Sequence, residues 1–259
     1  MAEGNHPAYR LIISCYVIVL LLPLLGTLLY SLSDHWSTGL IPDQLTLKWY
    51  FKLLSDPRFV IAIGHSLLVC SGTLILMILT VLPASFVVFA YYPSLKPVMN
   101  LLVLLPFSVP PVVSSVGLLE LFSEEPLLLT GTPWLLSGAY FTLALPFMYR
   151  AIANNLDALD LQGLMDAARL LGAGPFRLFV TVILPNLKTG ILVSVFLCFS
   201  LLFGEFVFAN ILVGSQFETI QVYLFNMRFF SGHFSSAIVM SYFLILMVLT
   251  LLASKWGKV

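Results

Sequence analysis

Charge is what this 259-residue chain has least of: only 9% of its residues are Asp, Glu, Lys or Arg. Water-soluble domains carry about a quarter, so an ordinary globule in water is excluded. The 12 basic and 12 acidic side chains cancel, leaving no basic stripe of the kind that holds nucleic acid. The long polar, charge-rich stretches that stay disordered are missing too. Cysteine is scarce. Cys15, Cys70 and Cys198 each sit in an apolar stretch, without the spacing of a zinc site or a redox pair. Catalytic signatures are also lacking. There is no G-x-x-x-x-G-K-[ST] phosphate cradle, since Lys188-Thr189 has no glycines upstream, and neither H-E-x-x-H nor G-x-S-x-G occurs. His6, His35, His65 and His233 are scattered and read as interfacial side chains rather than metal ligands. No metal site and no enzyme are expected.

Apolar residues make up 60% of the chain, and its mean hydropathy is +1.03. A helix needs about 20 residues to cross about 30 Å of hydrocarbon. Six stretches qualify, at about 9–32, 59–91, 98–122, 127–150, 186–213 and 234–253. Backbone groups in lipid must be satisfied within the segment, and no ten-residue alternation points to a barrel. The predicted class is an all-α polytopic membrane protein with six transmembrane helices, in one domain over 1–259. Leu11–Leu32 is too long for a signal's apolar region and no small-x-small site follows it, so a retained helix is expected.

An even number of spans puts both termini on one side. If that side is the cytoplasm, Arg10, Lys96, Arg150, Arg169, Arg177, Lys188, Lys255 and Lys258 lie inside, and Lys48, Lys52, Arg58 and Arg228 lie outside. The excess of Lys and Arg marks the cytoplasmic side.

Two outer segments are long, 34–58 and 214–233. In the first, Leu47, Tyr50, Phe51 and Leu54 sit at helical spacing after Thr46, which predicts a short interfacial helix capped by that threonine. The cytoplasmic loop 151–185 is richer. Leu161, Leu164, Met165, Ala168 and Leu171 recur at three- and four-residue intervals, an amphipathic helix with Asp160 placed to cap it. Gly172 and Gly174 stop that helix. Pro175 opens a second short one, expected to end at Ile183 before Pro185 starts the fifth span. Such an elbow suits a groove on another protein. The same pattern fits a helix lying on lipid headgroups, but the sparse basic residues weigh against it.

Asp166-Ala167-Ala168-Arg169-Leu170-Leu171-Gly172-Ala173, followed by Val182-Ile183-Leu184-Pro185, resembles the EAA loop of ATP-binding-cassette importer permeases. That family's pattern is Glu-Ala-Ala, three residues, Gly, nine residues, then Ile-x-Leu-Pro. The spacing is kept in full, with Asp166 in place of Glu and Val182 in place of Ile. The resemblance implies the type I importer permease fold, five core helices plus an N-terminal one, in a bacterial inner membrane. It implies a non-catalytic subunit with no cofactor of its own, ATP and magnesium being used by a partner ATPase. The implied partners are two ATPase subunits, a second permease chain (a homologue or itself) and a periplasmic solute-binding protein, besides the bilayer. The residues it assigns to ATPase coupling are Leu164, Met165, Asp166, Ala167, Ala168, Arg169, Gly172, Ala173, Leu184 and Pro185. The alanines would permit close approach, and Gly172 a backbone that a side chain disfavours.

Phe199–Tyr223, with Phe203-Gly204-Glu205-Phe206 and Leu212-Val213-Gly214, resembles the subgroup of these permeases serving polyamines and aminophosphonates. The implied substrate is a small organic amine such as a polyamine or 2-aminoethylphosphonate. Ferric ion, thiamine or a small anion is the alternative within the family.

A path through the membrane is read from the residues themselves. An ionisable residue inside a span is costly and marks function by default, which singles out Glu205. It either faces water to attract an amine or pairs within the bundle. On one continuous helix Ser194 and Cys198 align with Glu205, while Asn210 lies roughly 140° away. In the third span Pro106, Pro110 and Pro111 remove donors and break the helix mid-membrane. Pro106, Pro110, Ser114 and Ser115 therefore join Glu205 and Asn210 as the candidate path, with a buried proline kink as the competing reading. Pro83 and Pro146 carry the same signal more weakly. A self-driven ion-coupled transporter would be expected to show internal repeats and several intramembrane carboxylates, whereas Glu205 stands nearly alone.

Overall fold

The computed structural model describes residues 7–256 except 37, 38, 40, 41 and 43; His6, Lys258 and the Lys255 side chain lie outside what is described. Helices dominate because long apolar segments satisfy their own backbone. They are α1 (Pro7–Ser31), α2 (Lys48–Leu54), α3 (Pro57–Tyr91), α4 (Lys96–Leu104), α5 (Pro111–Leu121), α6 (Pro133–Ala158), α7 (Leu161–Leu170), α8 (Pro175–Leu178), α9 (Leu184–Phe203), α10 (Ile220–Met227) and α11 (Gly232–Trp256). Among the described residues the extended pairing is one isolated bridge, Ser33 with Leu45.

Five helices are long and apolar enough to span a bilayer: Tyr9–Ser31, Pro57–Tyr91, Pro133–Ala158, Pro175–Phe203 and Gly232–Leu251. The expected third span is a pair of segments, Pro93–Ser108 and Pro111–Leu121, bent by 88°. Pro106, Pro110 and Pro111 cluster at the bend, where missing N–H groups and ring clashes forbid a continuous helix. Pro23, Pro83 and Pro146 sit inside helices that continue past them.

Three local expectations change. The residue capping α2 is Leu47, without a side-chain bond, and the Thr46 hydroxyl instead accepts from the Lys48 N–H at 3.1 Å. The second short helix of the 151–185 loop does not stop before Pro185: α8 runs through a wide π turn, Phe179–Ile183, straight into α9. The widened turn carries the chain past a residue that cannot donate, and Asn186 Nδ2 donates to the Val182 carbonyl at 2.7 Å. Lastly, the fifth span is not one helix to residue 213, since α9 ends at Phe203.

The described residues form two compact units, one from 1–60 and 224–245, the other from 61–223 and 246–259. In the first, His233 stacks on Tyr30 with ring centroids 4.0 Å apart, and its Nδ1 lies 2.9 Å from both Ser33 Oγ and the Tyr30 carbonyl. The Trp49 indole lies parallel to the same imidazole and donates to the Ser33 carbonyl at 2.9 Å. This knot fixes the end of α1 against α2 and the start of α11.

The core of the second unit is α6 against α9. Leu136, Tyr140, Ala144, Met148 and Tyr149 meet Leu187, Ser194, Cys198 and Leu202, all buried. Cys198 Sγ points at the Ala144 carbonyl, 3.8 Å away. Gly190 permits the close approach: a Cβ there would strike the Asn155 side chain, whose Nδ2 donates to the Ala151 carbonyl at 2.7 Å. Gly190→Leu must break that bond and push the helices apart. It is expected to destabilise the unit by about 2 kcal/mol, read as a lower unfolding temperature in detergent; an unchanged temperature would show the pair to be loosely packed.

Candidate functional site

The elbow is built from local signals. Asp160 precedes α7 and its carboxylate accepts from the Gly163 N–H at 3.1 Å, as a cap should. At the other end Ala173 N–H donates to the Ala168 carbonyl at 3.0 Å and Gly172 N–H to the Arg169 carbonyl at 2.9 Å. Together with Gly172 at φ +76°, these make a Schellman cap. Nothing lies within 4 Å of a Cβ placed at Gly172, so the glycine is required by its backbone and not by crowding. Gly174 then caps α8, with Pro175 as its first residue.

The apolar stripe on α7 faces inward. Leu161, Met165 and Ala168 are 8%, 1% and 6% exposed, anchoring the helix on its own chain. Ala168 is therefore closed to a partner, and so is Met165. What the elbow presents outward is Leu170 and Leu171, each 89% exposed, and Phe176, 80% exposed. Asp166 and Ala167 are exposed, Leu164 and Ala173 half-buried. The Arg169 guanidinium pairs with the Asp166 carboxylate at 3.4 Å. Pro185 is exposed and Leu184 half-buried on the helix that leaves the elbow. Lys96 Nζ reaches the Asp157 carboxylate at 3.0 Å, joining the start of α4 to the end of α6. Phe176 and Leu170 lay outside the regular stripe; their signal was apolar residues flanking a glycine turn.

Glu205 sits just past the end of α9. Its carboxylate accepts from the backbone N–H of Phe208 at 3.0 Å and of Ala209 at 3.2 Å, capping the next helical turn, which leads into the π turn Ala209–Val213. The Tyr140 hydroxyl donates to the Glu205 carbonyl at 3.4 Å. The expected alignment of Ser194 and Cys198 with Glu205 fails because Gly204 closes the helix between them. The segment that follows ends at Gly214, with φ +49°.

Two cavities flank this broken span. One, of about 400 Å³ and mostly apolar, lies at the 88° bend and is lined by Pro106, Phe107, Ser114, Thr142, Leu143 and Phe208 among others. The other, of about 500 Å³, is lined by Thr130, Gly131, Asn210, Ser215 and Gln216 with neighbouring backbone. Pro106 and Ser114 thus share a cavity, and Asn210 belongs to a different one. Ser115 is buried and donates to the Pro111 carbonyl at 2.7 Å, so it packs rather than lines. Pro110 is the extended residue at the corner. Thr142 carries no sequence signal, since one polar residue in an apolar run is commonplace, and Gln216 stands out only as part of the polar start of the segment 214–233.

Residues 82–256 match the family described as binding-protein-dependent transport system inner membrane component, and the chain belongs to that family. It is the permease component of an ABC importer, a membrane subunit without catalytic chemistry. It is 26% identical over 212 residues to the putative 2-aminoethylphosphonate transport system permease protein PhnV of Salmonella typhimurium, covering 82% of this chain and 79% of that one. It is 25% identical over 194 residues to the spermidine/putrescine transport system permease protein PotC of Escherichia coli, covering 73% and 70%. In fold it matches a chain from a bacterial ABC transporter involved in the import of the acidic polysaccharide alginate, with a TM-score of 0.78 at 12% identity, over 99% of this chain and 98% of that one.

Proposed function

We propose that this chain, acting as a single permease domain, carries a small organic amine or aminophosphonate inward through the bacterial inner membrane, powered by a separate ATPase that docks on the elbow at Leu170–Phe176. The supporting observation is three large apolar side chains, Leu170, Leu171 and Phe176, held almost fully exposed by a rigid cap while Leu161, Met165 and Ala168 anchor α7 inward. An exposed apolar tip of this kind needs a covering partner. The Asp166–Arg169 pair beside it supplies a polar rim. Both termini lie in the cytoplasm in this reading, which puts the elbow on the ATPase side. Two ATPase subunits and a second permease chain complete the path, ATP and magnesium are spent on the ATPases, and a periplasmic binding protein delivers substrate to the opposite face.

The amine class is supported by the names of the relatives at 25–26% identity. Within the membrane, the cavity holding Pro106 and Ser114 and the cavity holding Asn210 are the candidate stations. Glu205 orders the half-span next to them.

A photo-crosslinking residue at Phe176 in the complete importer is expected to trap the ATPase, and one at the buried Met165 is not. An ATPase that crosslinks nowhere on the elbow refutes the docking. Uptake of labelled 2-aminoethylphosphonate and putrescine by cells expressing the full system tests the substrate separately, and loss of neither on deleting this permease would remove the amine class.

A further inference from the structure

Within the second unit, the chain between the half-span and α10 is strapped to α3. The His65 imidazole stacks on the Phe217 ring, with centroids 3.9 Å apart and planes 16° from parallel. Its Nδ1–H donates to the Glu218 carbonyl at 3.0 Å. One residue on, the buried Ser66 Oγ accepts from the Ile220 N–H at 2.8 Å. The half-span is also tied to the turn before α6, where Gly131 N–H donates to the Leu212 carbonyl at 2.9 Å. The Gln216 side chain lies directly on Gly131, where a Cβ would strike its Oε1. Gln216 thus reaches from the strap to that turn, and the cavity of about 500 Å³ is the space the two segments share with Asn210. Neither the Gln216 nor the Asn210 side-chain amide has a partner among the described residues.

A carboxamide donates through its nitrogen and accepts through its oxygen, so one free amide can serve either end of a zwitterion. A protonated diamine presents donors alone and has no use for the nitrogen. The donor half of the amide is therefore what tells an aminophosphonate from a polyamine, and the cavity volume suits a molecule of that size. Resting on the amine or aminophosphonate cargo proposed above, we propose that Gln216 is the specificity-determining residue of this cavity, donating to the phosphonate end of an aminophosphonate, and that His65 is its positioning residue. The strap turns at Gly214, and α3 fixes it one, two and four residues beyond Gln216. His65 supplies two of those three contacts. It acts through the strap and holds the amide over Gly131, where the polar cavity lies.

The test uses the complete importer in cells, with labelled 2-aminoethylphosphonate and putrescine each supplied at saturation. Each variant's rate is divided by the parent's, so that delivery by the binding protein cancels, and immunoblotting of membranes checks that amounts are equal. Gln216→Glu keeps the acceptor, loses the donor and adds a negative charge. It should lower aminophosphonate uptake about tenfold without lowering putrescine uptake. Gln216→Lys, a donor without an acceptor, should keep aminophosphonate uptake and lower putrescine uptake. His65→Ala should lower aminophosphonate uptake in the parent and add nothing in the Gln216→Glu background, because it acts through the same amide. Equal losses of aminophosphonate uptake in Gln216→Glu and Gln216→Lys overturn the assignment, and additive losses overturn the role of His65. A parent that carries putrescine alone also overturns the assignment but leaves the amine reading standing. A parent that carries neither removes both.

Discussion

Leu171→Asp combined with Phe176→Asp is expected to abolish uptake and release the ATPase, with the permease still present in the membrane at its normal level. Both side chains stand clear of the fold, 89% and 80% exposed, so their replacement should change stability by no more than about 0.5 kcal/mol. An apolar anchor seated in a partner's pocket is worth about 2 kcal/mol or more when truncated. Two anchors turned into carboxylates should therefore weaken docking by about a thousandfold. Co-purification of the ATPase and uptake of labelled substrate read the effect, and immunoblotting of membranes reads the amount of protein. Coupling through some other surface would leave both activities intact. Gly172→Val should reach the same endpoint more gently, because a β-branched residue disfavours φ +76° and the cap that aims the tip is lost.

Glu205→Ala is expected to cost both stability and transport. It strands the Phe208 and Ala209 N–H groups in apolar surroundings, at about 1–3 kcal/mol for each unsatisfied group. A lower unfolding temperature and at least a tenfold fall in uptake should follow. Glu205→Gln separates two roles, since its carbonyl oxygen still accepts from one of the two donors while the negative charge is gone. Recovery of both stability and uptake in Glu205→Gln means that the carboxylate works as a cap. Native stability with uptake still absent means that the charge itself serves the passing substrate. An alanine variant as stable as the parent removes the capping role altogether.

The elements were legible where composition alone decides them. Long apolar runs have few choices in lipid, and the prolines at 106, 110 and 111 announced the 88° bend. The break at Gly204 is less visible, because a carboxylate in an apolar run signals a functional charge as readily as a cap, and Gly-Glu is also tolerated inside a helix. Pro185 misled in the opposite direction. A proline normally opens a helix, yet here a π turn ending two residues upstream absorbs it and two expected elements are one rod. On α7 the period was right, but a period names a face and not its neighbour. Leu161, Met165 and Ala168 turn towards the chain itself, while Leu171 at the end of the pattern is exposed together with Leu170 and Phe176, which lie outside it.

From Pro175 to Phe203 the chain is one helical stretch of 29 residues, about 43 Å at 1.5 Å per residue. Phe176 is at one end and the Gly204–Glu205 break at the other, with no loop between them to dissipate a displacement. Thermodynamic linkage makes such a rod work in both directions. If nucleotide closure at the elbow changes how tightly the half-span holds its cargo, then cargo at the half-span must shift the closure equilibrium by the same factor. Under the proposed docking, cargo held more tightly by the closed state would favour nucleotide binding from the far side of the membrane, and cargo held more tightly by the open state would oppose it.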